Sequence, residues 1–94
     1  MEDKLEQQKR LLKARGICVI IPTFNNEKTI GEVVKETLCF CDDVIVVNDG
    51  CTDNSTAQII GEIDNITVVA YSQNRGKGYA LQQGFRKALS MGFA

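Results

Sequence analysis

The chain has 94 residues, a formal net charge of −1 and 24% charged residues, which suits one small globular domain and argues against a nucleic-acid partner. No apolar run approaches the roughly 20 residues that a membrane helix needs, and the N-terminus lacks the apolar core of a signal peptide. These features predict a cytoplasmic protein. Any association with the inner face of a membrane is expected to depend on parts outside this sequence.

The cysteine count and the absence of histidine exclude several kinds of site. None of the four cysteines forms a C-x-x-C pair, and a mixed zinc site cannot form without histidine. Ser-His-Asp and Cys-His catalysis within the chain is excluded for the same reason. A metal site or disulfide framework is therefore not expected, and Cys18 is predicted to be a small core residue.

The chain opens with a charged, helix-favouring segment, residues 1–16, which is predicted to be a loosely packed leading helix that ends at Gly16. The domain proper, residues 17–94, begins with an uninterrupted apolar run at residues 17–21, typical of a buried strand. Pro22 is expected to end the pairing of this strand because proline has no backbone donor.

The next helix follows a turn in which Asn25 or Asn26 is expected to act as its cap. Four apolar residues at helical spacing predict its buried face: Ile30, Val33, Val34 and Leu38. The central strand follows, and its four β-branched apolar residues, 44–47, indicate burial on both faces. These elements form one βαβ unit, which is expected to cross over right-handed.

A second helix is predicted after Asp53, followed by a third strand at Ile66–Tyr71 and a third helix. The apolar face of the third helix is predicted from Ala80, Leu81, Phe85, Ala88 and Leu89. Gly84 within it should cost roughly 1 kcal/mol relative to alanine unless a backbone packs closely against it. The order β-α-β-α-β-α predicts the α/β class, as a three-layer α/β/α arrangement with a Rossmann-like parallel sheet.

Each predicted strand ends in a polar loop, and the three loops are expected to meet at one edge of the sheet. Their polar side chains are, in chain order, Thr23, Asn25, Glu27, Asp49, Asp53, Asn74, Arg75 and Lys77. This combination suits a nucleotide, because carboxylates accept from base or ribose donors and basic groups offset phosphate charge. Gly76 and Gly78 would let the backbone approach such a ligand closely.

Simpler interpretations remain open for the individual residues. One alternative is that Asp49 and Asp53 stabilise a turn and a helix cap without binding a ligand. The corresponding alternative for Arg75 and Lys77 is a solvated basic turn. A dinucleotide-binding fingerprint is excluded, because the first strand is followed by P-T-F-N-N-E rather than by G-x-G-x-x-G. No P-loop pattern is present either.

Taken together, three segments resemble a known family. Family 2 glycosyltransferases of the GT-A fold open with motifs similar, in order and spacing, to V-I-I-P-T-F-N-N-E, V-V-N-D-G-C-T-D-N-S and N-R-G-K-G-Y-A. The resemblance covers residues 17–94 and is closest to the branch typified by dolichol-phosphate mannose synthase. It implies transfer of a sugar from a nucleotide-diphosphate donor to an acceptor such as a polyprenyl phosphate or a glycan. A divalent cation, Mg²⁺ or Mn²⁺, and inversion of the anomeric centre are implied as well.

The same resemblance implies a set of nucleotide-binding residues: Pro22, Thr23, Phe24, Glu27, Asp49, Gly50, Asn74, Arg75, Gly76 and Lys77. Within this set Asp49 would contact the base or the ribose, Gly50 would keep its turn tight, and Lys77 would lie near the diphosphate. Cys51 stands where the family more often has serine or alanine.

The sequence departs from the family pattern by stopping before the strand that carries the D-x-D motif. The cation ligands, the general base and the acceptor site are therefore not expected among these residues. The sequence indicates the N-terminal, nucleotide-binding part of a glycosyltransferase, expected to bind nucleotide without catalysis. The alternative is a non-catalytic nucleotide-binding or interaction module.

One consequence for assembly follows from the same resemblance. The D-x-D strand of the family pairs beside the first strand, which here is the apolar run from Ile17 to Ile21. Without that neighbour the strand has an open side with unpaired backbone groups, and such an edge is a template for another chain. The chain is therefore expected to self-associate through residues 17–21, to aggregate, or to require the remainder of the enzyme.

Overall fold

The computed structural model describes residues 4–25, 29–50 and 66–93. Within these ranges the elements are, in chain order, α1 (Lys4–Ala14), β1 (Val19–Thr23), α2 (Ile30–Leu38), β2 (Val44–Asp49), β3 (Ile66–Tyr71) and α3 (Lys77–Ser90). The helix predicted after Asp53 lies outside the described residues, as do Asn26, Glu27 and Cys51.

The three strands form one parallel sheet in the order β1-β2-β3. β2 lies between its two neighbours, and residues 44–47 are all buried, as predicted. Parallel strands end at the same edge of a sheet, so β2 and β3 bring Asp49 and Tyr71 side by side as register partners. The predicted parallel sheet is confirmed.

Helices cover both faces of this sheet. On one face α2 packs against the strands in a core cluster of Ile30, Val34, Val44 and Val46. On the other face α3 packs in a second cluster of Ile45, Val47, Ala80 and Ala88. Side chains alternate between the faces of a strand, so β2 contributes to both clusters. The predicted three-layer α/β/α arrangement is confirmed.

The leading helix α1 contributes no buried residue. Its Lys9 Nζ lies 3.4 Å from Asp42 Oδ1, in the loop before β2. The helix ends where predicted, because Gly16 takes a φ of 66° and the amide of Ile17 donates back to the carbonyl of Leu12. The ion pair and the turn after Ala14 therefore connect this helix to the rest of the domain.

The first strand differs from the prediction at both ends. It runs over Val19–Thr23 rather than residues 17–21, and it includes Pro22. The amide of Val19 donates to the carbonyl of Asp43, on the side of β2. Because amides alternate between the two sides of a strand, the nitrogen of Pro22 faces away from β2. The proline does not end the pairing, since its missing donor lies on the side of β1 that faces away from β2. No strand among the described residues pairs on that side, which we call the open side of β1.

The helix α2 differs from the prediction in one buried position and in its cap. Val33 is 43% exposed, and Thr37 is buried instead, with its hydroxyl donating to the carbonyl of Val33. The helix begins directly after Thr29, whose side chain makes no capping hydrogen bond. This start is too late in the chain for a cap at Asn25 or Asn26.

The sheet-facing side of α3 consists of small residues rather than of the large ones predicted. Ala80, Gly84 and Ala88 are buried, whereas Phe85 is 55% and Leu89 66% exposed. The helix lies so close to the sheet that a Cβ on Gly84 would collide with a side chain of β1. The glycine is therefore explained by close packing, which comes from side chains of the strands and not from a backbone.

Candidate functional site

The carboxyl ends of the strands border an open cavity of about 580 Å³. Its lining residues come from β1, β2 and the segment after β3: Pro22, Thr23, Phe24, Asp49, Asn74, Gly76, Lys77 and Ala80. All of them except Ala80 belong to the nucleotide-binding set predicted from the sequence. The cavity lies at the edge where ligands of open α/β sheets bind.

Asp49, the last residue of β2, is 4% exposed and accepts three hydrogen bonds. Its Oδ1 accepts from the Tyr71 hydroxyl at 2.6 Å and from the Arg75 amide at 2.9 Å. Its Oδ2 accepts from the Gly76 amide at 3.1 Å. The carboxylate thus ties β2 to the loop that follows β3. A local turn alone, the simpler interpretation of Asp49, does not describe these contacts.

The charge of Asp49 follows from its surroundings. Burial raises the pKa of this carboxyl, but the bonds from Arg75, Tyr71 and Gly76 stabilise the anion, and the net pKa lies below the ordinary value of 3.8. The pKa of Tyr71 is raised, first by burial and then by the hydrogen bond and charge of Asp49. At neutral pH the pair is therefore a carboxylate and a neutral phenol.

Gly50 allows the two loops to approach each other. Its φ is +69°, in the left-handed region that favours glycine. A Cβ at this position would collide with the backbone of Gln73 and Asn74. Gly50 does not line the cavity, so its part is to keep the Asp49 turn against the loop after β3.

The side chain of Arg75 is held outside the cavity. Its guanidinium lies over the ring of Tyr79, 5.4 Å from the centroid, and donates to Oε1 of Gln73 at 3.2 Å. The Tyr79 ring in turn packs edge-on against Tyr71, with centroids 5.1 Å apart. Arg75 therefore contributes its backbone amide to the site, while the basic side chain that lines the cavity belongs to Lys77.

The helix α3 begins at the cavity. It starts at Lys77, with Gly76 as the preceding residue at a φ of 90°. The Gly76 amide also donates a hydrogen bond to Oδ1 of Asn74, at 3.0 Å. The amino end of a helix carries partial positive charge, so α3 and Lys77 give this side of the cavity a positive character.

The sequence does not predict the parts of Tyr71, which donates to Asp49, and of Ala80, which lines the cavity. Its pattern predicts Tyr71 only as the end of a strand. A signal was present, because β2 and β3 each have six residues and start as partners, Val44 beside Ile66. Aligning the starts of the two apolar runs places Tyr71 beside Asp49.

The divalent cation implied by the family resemblance does not fit the residues described. Within residues 4–25, 29–50 and 66–93, no group of three cysteine or acidic side chains is arranged to hold a metal ion. Among the described residues, Asp49 is the one carboxylate in the lining of the cavity. No cation ligand is therefore assigned to these residues.

A sequence profile described as glycosyl transferase family 2 matches residues 18–91. The chain belongs to glycosyltransferase family 2. The resemblance carried by the three motifs is thereby confirmed, over the same part of the chain that contains the sheet and the cavity.

This family 2 chain matches part of the length of several longer relatives. It is 38% identical to an uncharacterized protein of Methanocaldococcus jannaschii, over 80% of the chain and 34% of that protein. It is 29% identical to dolichyl-phosphate beta-glucosyltransferase of Saccharomyces cerevisiae, over 73% of the chain and 25% of the enzyme. The chain thus spans about a third or less of these relatives' length.

A solved structure matches the fold. It is glucosyl-3-phosphoglycerate synthase of Mycobacterium tuberculosis in complex with Mn²⁺, UDP-glucose and phosphoglyceric acid. The TM-score is 0.70 at 26% identity, and the match covers 93% of this chain and 34% of the synthase. The predicted fold class is therefore confirmed as that of the GT-A glycosyltransferases.

Proposed function

We propose that this family 2 chain binds the nucleotide of a nucleotide-diphosphate sugar, as part of a glycosyltransferase. The observation that carries the proposal is the cavity at the carboxyl edge of the sheet. Its lining includes the ionised carboxylate of Asp49 and, adjoining it, Lys77 and the amino end of α3. A ligand that has both N–H or O–H donors and a diphosphate matches this combination of charges.

The lining residues divide into three chemical parts under this proposal. Asp49 accepts a hydrogen bond from the base or the ribose. Pro22 and the 44% exposed Phe24 provide an apolar wall for the nucleoside. Lys77, together with the amides at the start of α3, offsets the charge of the diphosphate, and Asn74 closes that side. The UDP-glucose complex of the synthase with the same fold supports UDP as the first ligand to test.

Sugar transfer is not assigned to the described residues. Transfer needs a base that reaches the acceptor hydroxyl, and no described residue is placed as one. The chain is therefore proposed to bind nucleotide without turnover, while transfer with inversion, assisted by a divalent cation, is proposed for the complete enzyme. A non-catalytic nucleotide-binding or interaction module is the alternative, and it predicts no transfer by any longer form.

The acceptor is proposed as a polyprenyl phosphate, or as a glycan in the second place. The name of the yeast relative, a dolichyl-phosphate glucosyltransferase, supports the first choice. None of the helices described here is both long enough and apolar enough to cross a membrane. A cytoplasmic location, and contact with a membrane through other parts of the protein, stay predictions.

The binding proposal is tested by the variant Asp49→Asn. Loss of a hydrogen bond to a charged acceptor costs roughly 1.5–3 kcal/mol, so UDP affinity should fall about ten- to a hundredfold. Titration calorimetry of the chain with UDP and with GDP measures this directly. Asp42→Asn is the matched control, because it makes the same change of charge at the opposite edge of the sheet. Equal affinity of Asp49→Asn and the parent would remove Asp49 from the site.

A second partner is proposed for the open side of β1. A groove of about 350 Å³ adjoins this side and is lined by apolar residues: Ile17, Cys18, Ile20, Phe85, Ala88 and Leu89. The amide and carbonyl of Ile20 face away from β2. The same holds for the backbone groups of Cys18 and Pro22, because these groups alternate between the two sides of a strand. The outward backbone groups and the groove form one continuous surface along β1 and α3.

We propose that a second copy of the chain covers this surface. Two copies related by a two-fold axis bring the same patch together, and their β1 strands can pair antiparallel about Ile20. Two Ile20 residues then exchange hydrogen bonds, and each Cys18 amide reaches a Pro22 carbonyl. In this register the carbonyl of each Cys18 has no amide partner, because the Pro22 opposite it lacks a backbone N–H. The proposed contact therefore runs along residues 18–22, one position later in the chain than the predicted edge at residues 17–21.

A further inference from the structure

The acceptor positions of Asp49 are unequally filled. A carboxylate oxygen has two lone pairs, and Oδ1 already accepts from both Tyr71 and the Arg75 amide. Among the described residues, Oδ2 accepts from the Gly76 amide alone. The described residues therefore leave one acceptor position on Oδ2, in a residue that lines the cavity.

We propose that Tyr71 is a positioning residue of the nucleotide site, whose hydroxyl holds Oδ1 of Asp49 so that Oδ2 is presented to the bound nucleotide. The inference deepens the proposed function and rests on it. Tyr71 does not line the cavity, so it acts through Asp49 and not by touching the ligand.

The geometry shows why the tyrosine can fix the carboxylate. Its O···O distance to Asp49 is 2.6 Å, the short range typical of a hydrogen bond to an ionised acceptor. The phenol ring is itself held, because Tyr79 packs against it edge-on at 5.1 Å. The Arg75 and Gly76 amides belong to a loop, whereas Tyr71 belongs to the sheet. Of the three donors, Tyr71 is thus the one that holds Asp49 directly against a strand of the sheet.

The same bond stabilises the negative charge. Asp49 is almost fully buried, and burial alone would raise its pKa. The Tyr71 hydroxyl is one of three donors that hold the pKa of Asp49 below its ordinary value. Among the described residues, the charged groups nearby are the Arg75 guanidinium, which lies over Tyr79, and Lys77 at the cavity. Neither depends on the Tyr71 hydroxyl, so removing that hydroxyl changes the Asp49 pKa selectively.

The test compares Tyr71→Phe with Tyr79→Phe by UDP titration over a range of pH. Tyr71→Phe should bind UDP about tenfold more weakly at neutral pH, equivalent to about 1.4 kcal/mol. Its acid limb, the pH at which affinity falls as Asp49 is protonated, should move to higher pH. Tyr79→Phe removes a neighbouring hydroxyl but keeps the ring, and both the affinity and the acid limb should match the parent. A pH-independent loss in Tyr71→Phe, or equal losses in both variants, would overturn the proposal.

Two further measurements separate this inference from the proposed function. Adding Tyr71→Phe to Asp49→Asn should cause no further loss of UDP affinity if the tyrosine acts only through the carboxylate. The pKa of Asp49, followed by carboxyl carbon NMR without ligand, should rise in Tyr71→Phe and stay unchanged in Tyr79→Phe. If the parent chain binds neither UDP nor GDP, the proposed function fails. An unchanged Asp49 pKa in Tyr71→Phe refutes the positioning role in either case.

Discussion

The carboxyl edge of the sheet and the open side of β1 belong to one small domain but differ in their contacts within the chain. At the carboxyl edge, donors from β3 and its loop surround Asp49, and Gly50 lies against the same loop. Along β1, Phe85 and Leu89 border an apolar groove and are more than half exposed. The first region fixes its geometry within the chain. The second region leaves an apolar groove at the surface of the described residues, which is where we propose that a second copy binds.

The largest expected effect concerns the first region, at Gly50. Gly50→Ala should lower the free energy of unfolding by about 2–5 kcal/mol. Roughly 1–2 kcal/mol comes from the left-handed backbone and roughly 1–3 kcal/mol from overpacking. The clash is with the backbone of the loop after β3, which no side-chain rotation relieves. Urea denaturation followed by circular dichroism measures the change.

Gly92→Ala is the matched control for this prediction. Gly92 also has a positive φ, of 94°, but a Cβ there meets nothing within 4 Å. Its cost should be limited to the backbone part, roughly 1–2 kcal/mol. Equal losses in the two variants would show that the contact between the loops carries no free energy.

The next effect is the pH dependence of stability at Asp49. The pKa of this carboxyl is lowered on folding, so its stabilising contribution is fully present above the unfolded pKa and is lost as pH falls through the folded pKa. Asp49→Asn should lower the free energy of unfolding by about 2 kcal/mol at neutral pH. The difference from the parent should shrink below the ordinary pKa of 3.8.

Urea denaturation at a series of pH values measures this difference. Asp42→Asn again serves as the control, because Asp42 is exposed and should show a small difference at every pH. A parent–variant difference for Asp49→Asn that stays constant down to low pH would show that the charge of Asp49 does not stabilise the carboxyl edge.

The smallest effect on the folded monomer is expected in the second region. Phe85→Lys places a charge on the groove, should change the monomer's stability by no more than about 0.5 kcal/mol, and should abolish self-association. Sedimentation at several protein concentrations measures the association. Gln82→Lys adds the same charge at an exposed position of α3 outside the groove and should associate like the parent. A parent chain that sediments as a monomer at every concentration would contradict the proposal.

The parts of the fold that could be predicted are those in which neighbouring residues decide the outcome. The apolar runs identified the three strands, and the four buried residues 44–47 identified the central one. The polar loops at the strand ends then gave most of the cavity lining, because parallel strands must end together.

The remaining features depend on packing that one sequence does not display. Pro22 lies inside β1 because that strand has an open side, which cannot be read from the proline itself. In α3 a stripe of small residues and a stripe of large apolar residues both have helical spacing. The small residues face the sheet because the helix lies close to it. The partnership of Asp49 and Tyr71 requires the register of two strands that are separate in the chain.

The edge-on pair of aromatic rings beside Asp49 has a spectroscopic consequence. The protein has no tryptophan and two tyrosines, which are Tyr71 and Tyr79. The two rings flank the loop after β3, one at the end of β3 and the other in α3, and they contact each other. The near-ultraviolet circular dichroism and the intrinsic emission of tyrosine therefore come from this one place. Any rearrangement of the loop that accompanies ligand binding can be observed optically in the unlabelled protein.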